Sequence, residues 1–139
     1  KRLSILSAEK ILENIQGILE KKISFVEQNH INATFAKKIE KMEGKINWNL
    51  DAVKVQATIN GLYPNPGAWF EYNHERYKIL KSKVVQIQGS AGKVINDELI
   101  VGCGKNSLQI IELQRQGKKP QITKQFLLGS KIEKGSLLK

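Results

Sequence analysis

The groups in this sequence that could do acid–base, nucleophilic or metal chemistry are few: two histidines, His30 and His74, and one cysteine, Cys103, beside thirteen carboxylates. Neither histidine has a second imidazole at a metal-binding spacing such as i+4 on a helix. His74 falls in a turn pattern and His30 in a lysine-rich stretch, so both read as surface residues. A lone cysteine excludes an internal disulfide framework and a multi-cysteine zinc site. Set between Gly102 and Gly104, it reads as a buried, inert thiol. No G-x-S-x-G, P-loop or Rossmann glycine fingerprint occurs, and "GSAG" at 89–92 reads as a plain turn. The sequence therefore offers no self-sufficient active site, and no catalytic or metal-ligating residue is assigned.

The cations are better represented. Twenty-three Lys and Arg against thirteen Asp and Glu give a net charge of +10, which favours a polyanionic partner, either nucleic acid or an anionic membrane surface. The surplus is uneven: nine basic and six acidic residues over 1–45, seven and six over 46–113, and seven and one over 114–139. Such asymmetry points to an oriented electrostatic surface. Lys81 and Lys83 fall on one strand-like run, and a side-chain period of two places them on one face with Lys78 on the other. Trp69, Tyr72 and Tyr77 are candidates for stacking on bases. For Trp69 the competing expectation is core packing beside the proline turn, and Trp48 is expected to be packed.

These residues need elements to carry them. Leu6, Ile11, Leu12, Ile15, Ile18 and Leu19 predict a helix over 4–20 with Ser7 as N-cap. Its apolar stripe requires a covering surface that a short chain does not obviously supply. Residues 21–47 have little period, carry six lysines, and read as a linker. A second helix is expected over 49–60, with Leu50, Val53, Ala57 and Ile59 on its buried face, Asn47 or Asn49 as cap and Gly61 as its end. "YPNPGAW" then forces a turn. Strands are predicted at 67–72, turning at Asn73-His74, and at 76–87. A tight hairpin at Asn96-Asp97 is expected to join "GKVIN" to "ELIVG", and the last strand spans 107–113. Gly117 and Pro120 break the chain, and Thr123 is expected to cap a turn whose Phe126 and Leu127 pack back. The fold class is α+β, mainly β with helices: a small oligonucleotide-binding-like β-barrel preceded by a helix and a linker. No apolar run approaches the ~20 residues that span a bilayer, and no secretory or transit pattern is read at the start. A chain opening without Met inside a helical pattern is expected to be a piece of a longer protein.

"ATFAKKIEKMEGKINW", a helix, "PNPGAW", "LQRQGKKP" and "FLLG", in this order, resemble the C-terminal portion of the methionyl-tRNA formyltransferase family. "GKINW" and "PGAW" occur across the wider folate-dependent formyltransferases, whereas the "LQRQGKKP…FLLG" ending looks most like the tRNA enzymes. Asn60-Gly61 and Ala91-Gly92 depart from the common Arg-Ala and Pro-Gly. The resemblance implies that residues 1–22 are the last helix of a Rossmann-like catalytic domain, 23–45 a basic interdomain linker and 46–139 the C-terminal barrel. It implies transfer of formyl from 10-formyltetrahydrofolate, a co-substrate for which no site is expected in this piece, to initiator methionyl-tRNA. A monomer in a bacterial cytoplasm or organellar matrix, with no membrane contact, is implied too. No "SLLP"-type catalytic stretch is present, so this piece is expected to be inactive alone. Lys37, Lys38, Lys41 and Lys45 of the linker, Lys81 and Lys83, and Arg115, Lys118 and Lys119 of the exit are the residues expected to engage tRNA phosphates. The alternatives are the C-terminal domain of another folate-dependent formyltransferase, with a folate or sugar-nucleotide substrate, or a non-enzymatic RNA-binding module.

Overall fold

The computed structural model describes residues 2–130 and 132–139. Lys1 and Lys131, both counted among the cations above, lie outside the described residues. The chain divides into two compact units, 1–37 and 38–139.

In the first unit the apolar period produces helix α1, Arg2–Leu19. Ser7 is not its cap: it lies inside the helix, where its hydroxyl donates to the Leu3 carbonyl one turn back at 2.9 Å. The helix ends in a Schellman motif. Lys21 takes a left-handed φ of +56°, and the Lys22 and Lys21 amides donate back to the Gly17 and Ile18 carbonyls. Leu6, Ile11, Leu12, Ile15, Ile18 and Leu19 are all exposed, as are the other described residues of the helix except Gly17. Asn29 then caps a single 3-10 turn at His30–Asn32.

The second unit starts with another 3-10 turn, Lys41–Gly44, closed by the Glu40 amide donating to Glu43 Oε1. Gly44, Ile46 and Trp48 then alternate inward. Helix α2 spans Ala52–Leu62 and is capped by Asp51, whose carboxylate accepts from the Val53 amide at 2.9 Å. The expected cap Asn47 instead folds a turn onto the Asn49 amide. That shift in start rotates the buried face. Ala52, Val55 and Ile59 point inward, while Leu50, Val53 and Ala57 are exposed. Gly61 lies within the helix, which runs to Leu62, directly before the proline-rich turn.

Strands β1 (Ala68–Tyr72) and β2 (Glu75–Val85) form an antiparallel hairpin. Asn73 and His74 both have positive φ, 50° and 63°, the geometry that matches the twist of paired strands. β3 (Ile100–Gly102), β4 (Ser107–Arg115) and β5 (Gln121–Ile122) complete a sheet ordered β1-β2-β4-β3, with β5 on β4 beyond β3. The Asn96-Asp97 hairpin is wider than expected. The Ile95 amide donates to the Ile100 carbonyl across the loop, and Asn96 Oδ1 accepts from the Glu98 and Ile100 amides. "GKVIN" makes isolated bridges and no named strand.

The α+β class holds, but the sheet is open and is not the closed barrel expected. Its edges are covered by short pairings. Lys139 exchanges both backbone hydrogen bonds with Glu71 on β1, and the Leu138 amide donates to the Gly92 carbonyl. Gly92 and Lys93 in turn pair with Gly102 on β3. The C-terminal segment thus occupies backbone donors and acceptors that an open edge would expose. Helix α3, Thr123–Gly129, follows β5 directly. Thr123 is its first residue, not its cap, and its buried hydroxyl donates to the Ile110 carbonyl at 2.6 Å. Phe126 packs back as expected, completing an aromatic series. Phe70 stacks on Tyr77 at 5.4 Å, and Tyr77 meets the edge of Phe126 at 5.8 Å.

Candidate nucleic-acid interface

Side chains on β2 change sides partway along the strand. Tyr77 and Ile79 are buried; the pairing with β4 then slips on either side of Lys81. Beyond the slip, Val84 packs on the core and the Ser82 hydroxyl is buried. A bulge reverses the parity of a strand. Lys81 and Lys83 therefore do share the outer face, and Lys78 shares it with them, contrary to strict alternation. Arg76 lies there too. Directly across the hairpin, Trp69 opposes Lys78 and Glu71 opposes Arg76.

Trp69 organises this face. The residue is only 5% exposed and its indole N–H donates to the Lys41 carbonyl at 2.9 Å. The Arg76 guanidinium lies over the ring with its carbon 4.2 Å from the centroid, and Lys45 Nζ stands 5.6 Å from the same ring. Trp69 is thus covered by cations and is not free to stack on a base. Tyr72 and Tyr77 are not free either. The Tyr72 hydroxyl sits 3.2 Å from Ser136 Oγ, and the Tyr77 hydroxyl donates to Glu75 Oε2 at 2.9 Å. Burial, then that hydrogen bond, push the Tyr77 phenol up to about 12.

Beside Trp69 opens a cleft of about 380 Å³, whose charged walls are Lys41, Arg76, Lys78 and Arg115, with Gln116 and Gly117 at the strand exit. Arg115 donates to Glu75 Oε1 and forms an ion pair with that carboxylate. Hydrogen bonding to Arg115, then to Tyr77, holds the Glu75 carboxyl below its ordinary range, and Glu75 in turn raises Arg115. Past Arg115, Gly117 takes a φ of +72°, a conformation glycine adopts without strain. The Gln114 side-chain amide donates to the Lys118 carbonyl at 2.8 Å. Lys118 and Lys119 are exposed and, with Arg115, line a second hollow of about 280 Å³.

Of the residues selected from the sequence, Lys41 and Arg115 meet in the cleft, and Arg115, Lys118 and Lys119 meet in the second hollow. Lys45 covers Trp69, and Lys81 and Lys83 lie exposed farther along β2. Lys38 is exposed at the start of the second unit, and Lys37 belongs to the first. Sequence reasoning missed Arg76 and set Lys78 on the wrong face; the first signals available were the register of Lys78 opposite Trp69 and the stacking of Arg76 on the same ring. "GSAG" is a packed turn: a side chain on Gly102 would strike the Ser90 carbonyl. Cys103 is buried, which pushes its thiol up to about 11. No group of three or more His, Cys, Asp and Glu arranged for a metal occurs among the described residues, and no helix among them is long and apolar enough to cross a membrane.

Residues 38–131 match the family described as formyl transferase, C-terminal domain. Over 136 residues, 97% of the chain, the sequence is 52% identical to a methionyl-tRNA formyltransferase of Pelagibacter ubique. It is 38% identical over 137 residues to the protein of the same name from Ruegeria pomeroyi, covering 99% of the chain. The chain spans 44% of the first relative and 45% of the second. Among solved structures, HypX from Aquifex aeolicus, one of them in complex with tetrahydrofolic acid, superposes with a TM-score of 0.64 at 14% identity. That match covers 86% of this chain and 22% of the HypX chain in the tetrahydrofolic acid complex, and it shows a shared fold.

Proposed function

This chain belongs to the formyl transferase C-terminal domain family, and on that premise we propose that it is the tRNA-holding C-terminal part of a methionyl-tRNA formyltransferase. The observation that carries the reading is the 52% identity to a protein of that name across 97% of the chain. The cation distribution supports it, since a surface that holds RNA by its backbone needs Lys and Arg set outward on fixed structure. The same identity favours the tRNA enzyme over formyltransferases of folate or sugar-nucleotide substrates.

In this reading the parent enzyme moves a formyl group from 10-formyltetrahydrofolate to the amino group of initiator methionyl-tRNA. This half contributes position: Lys38, Lys41, Lys45, Lys118 and Lys119 neutralise phosphates and present the acceptor end to catalytic groups elsewhere. Lys37, Lys81 and Lys83 add to the same field. The first unit, with its exposed apolar stripe, is the end of the catalytic domain and the beginning of the basic linker. The setting is the cytoplasm of a bacterium.

The test is tRNA binding as a function of salt. Log affinity is expected to fall with log salt at about 0.7–0.9 per phosphate contact. A flat dependence, or no binding at low salt, sinks the reading. Formyl transfer by the chain alone is expected at background; turnover above it would mean that catalytic groups lie within these residues.

A further inference from the structure

We propose that the cleft beside Trp69 is a subsite for one phosphodiester of bound RNA, gripped by Arg76 and Lys78. This rests on the RNA-binding reading above and names the place where the grip is strongest, on residues outside those selected from the sequence.

The cleft has cationic walls and no free acid. Lys41, Arg76, Lys78 and Arg115 line it, and Glu75, the nearby carboxylate, is engaged by Arg115 and Tyr77. Glu71 faces Arg76 across the hairpin, yet no ion pair joins them among the described residues. With Arg115 paired to Glu75 and no ion pair on Lys41, Arg76 or Lys78 among the described residues, these three gain most from an anion.

Arg76 is also prepared for one. Its guanidinium rests on the Trp69 ring at 4.2 Å, and stacking occupies a face while leaving the edge N–H donors free. Those edges match two oxygens of a phosphate. The platform is itself held in place, because Trp69 is buried and tied to the Lys41 carbonyl. Because the ring is covered, the cleft recognises the backbone and not a stacked base. Arg115 is a positioning residue here: its ion pair with Glu75 joins the strand exit to the hairpin and fixes the far wall.

The experiment measures tRNA affinity at several salt concentrations for the chain and for Arg76→Ala, Arg76→Lys, Lys78→Ala and Lys105→Ala. The last removes an exposed charge outside the cleft. Arg76→Ala is expected to weaken binding by about tenfold or more, as for a lost charge-assisted pair. Arg76→Lys restores only part, because an ammonium cannot reproduce the planar fork. Lys78→Ala lowers the salt slope by about 0.7–0.9, and Lys105→Ala weakens binding less than either cleft alanine. Adding RNA is expected to shift the indole NMR signal of Trp69 more than that of Trp48.

If the chain binds tRNA but Arg76→Ala loses no more than Lys105→Ala, the subsite is wrong while the RNA reading stands. If the chain binds no tRNA at low salt, both fall. Inorganic phosphate or adenosine monophosphate is expected to move the Trp69 signal only at far higher concentrations than RNA. A response at equal concentration would make the cleft a free-anion site and overturn the backbone assignment. Arg76→Lys melting with the unsubstituted chain keeps the comparison free of folding defects.

Discussion

The two faces of the β1–β2 hairpin are made by the same strands and ordered by different means. Inward, Ala68, Phe70, Tyr77 and Ile79 are buried and pack on the aromatic series. Outward, Trp69, Glu71, Arg76 and Lys78 alternate with them, and the one large ring is covered by cations instead of by a core. The inner face is held by removal of apolar area from water, which is non-directional and strong. The outer face buries one indole and adds a hydrogen bond and a cation–ring stack, and these two fix direction more than they add stability. A face whose cations are held in fixed directions around one buried ring is suited to present charge.

The largest effect tests that contrast. Phe70→Ala is expected to cost about 3–5 kcal/mol, as for other buried aromatics. Arg76→Ala is expected to cost only about 0.5–1 kcal/mol of stability, with its main effect on RNA. Urea denaturation of both variants checks this. If Arg76→Ala unfolds as readily as Phe70→Ala, the outer face is part of the core and the contrast collapses.

Tyr77 ties the buried aromatic series to the strand exit, since its ring is inside and its hydroxyl reaches Glu75, the carboxylate that Arg115 also engages. Tyr77→Phe is expected to lose about 0.5–1.5 kcal/mol with that hydrogen bond. The phenol is raised from 10 to about 12, so it binds its proton more tightly folded than unfolded. The stability linked to it is complete below the unfolded value and is lost as pH rises through the folded one. Tyr77→Phe is therefore expected to remove a strongly alkaline step from the ultraviolet absorbance titration and, with it, the associated alkaline loss of stability.

The hairpin was legible in the sequence because Asn73-His74 satisfies a local demand, positive φ at two successive turn positions. The buried face of α2 was not, because it depends on whether Asp51 or an asparagine starts the helix, a rotation that a short apolar pattern does not settle. The β2 bulge was invisible for a similar reason: it exists only in the register with β4. Charge runs such as Lys118-Lys119 announce themselves along the chain. Arg76 over Trp69 does not, since the contact crosses two strands, and the Glu75 partner of Arg115 lies 40 residues away.

Glu75 sharpens the comparison from the acidic side. Its carboxyl is lowered, so the stability it contributes is present above the ordinary carboxylate value of 4.5 and lost as pH falls through the folded one. Glu75→Gln is expected to lower thermal stability at neutral pH, with the difference from the unsubstituted chain vanishing in acid. Binding of tRNA at low salt should strengthen, because an acid beside the cleft is gone and Arg115 is released. Weaker binding would show that a fixed Arg115 matters more to the site than an extra net charge.

The smallest effect concerns position along the outer face. Lys78 stands opposite Gln114 next to Arg115, whereas Lys81 stands directly opposite Glu112. Lys83 opposes Gln109, whose side-chain amide donates to the Glu98 carboxylate at 3.2 Å. The field therefore runs from basic at the cleft to mixed at the far end of β2, although all three lysines point outward. An opposed carboxylate offsets a lysine's attraction for phosphate at short range. Lys81→Ala and Lys83→Ala are expected to weaken tRNA binding by less than about twofold and to change the salt slope by well under the ~0.7–0.9 of a full phosphate contact. Lys118→Ala should change it by about that full amount and equally across RNA sequences. Equal losses at Lys78 and Lys81 would mean that tRNA responds to the summed charge of the strand, and the cleft would have no privileged place on it.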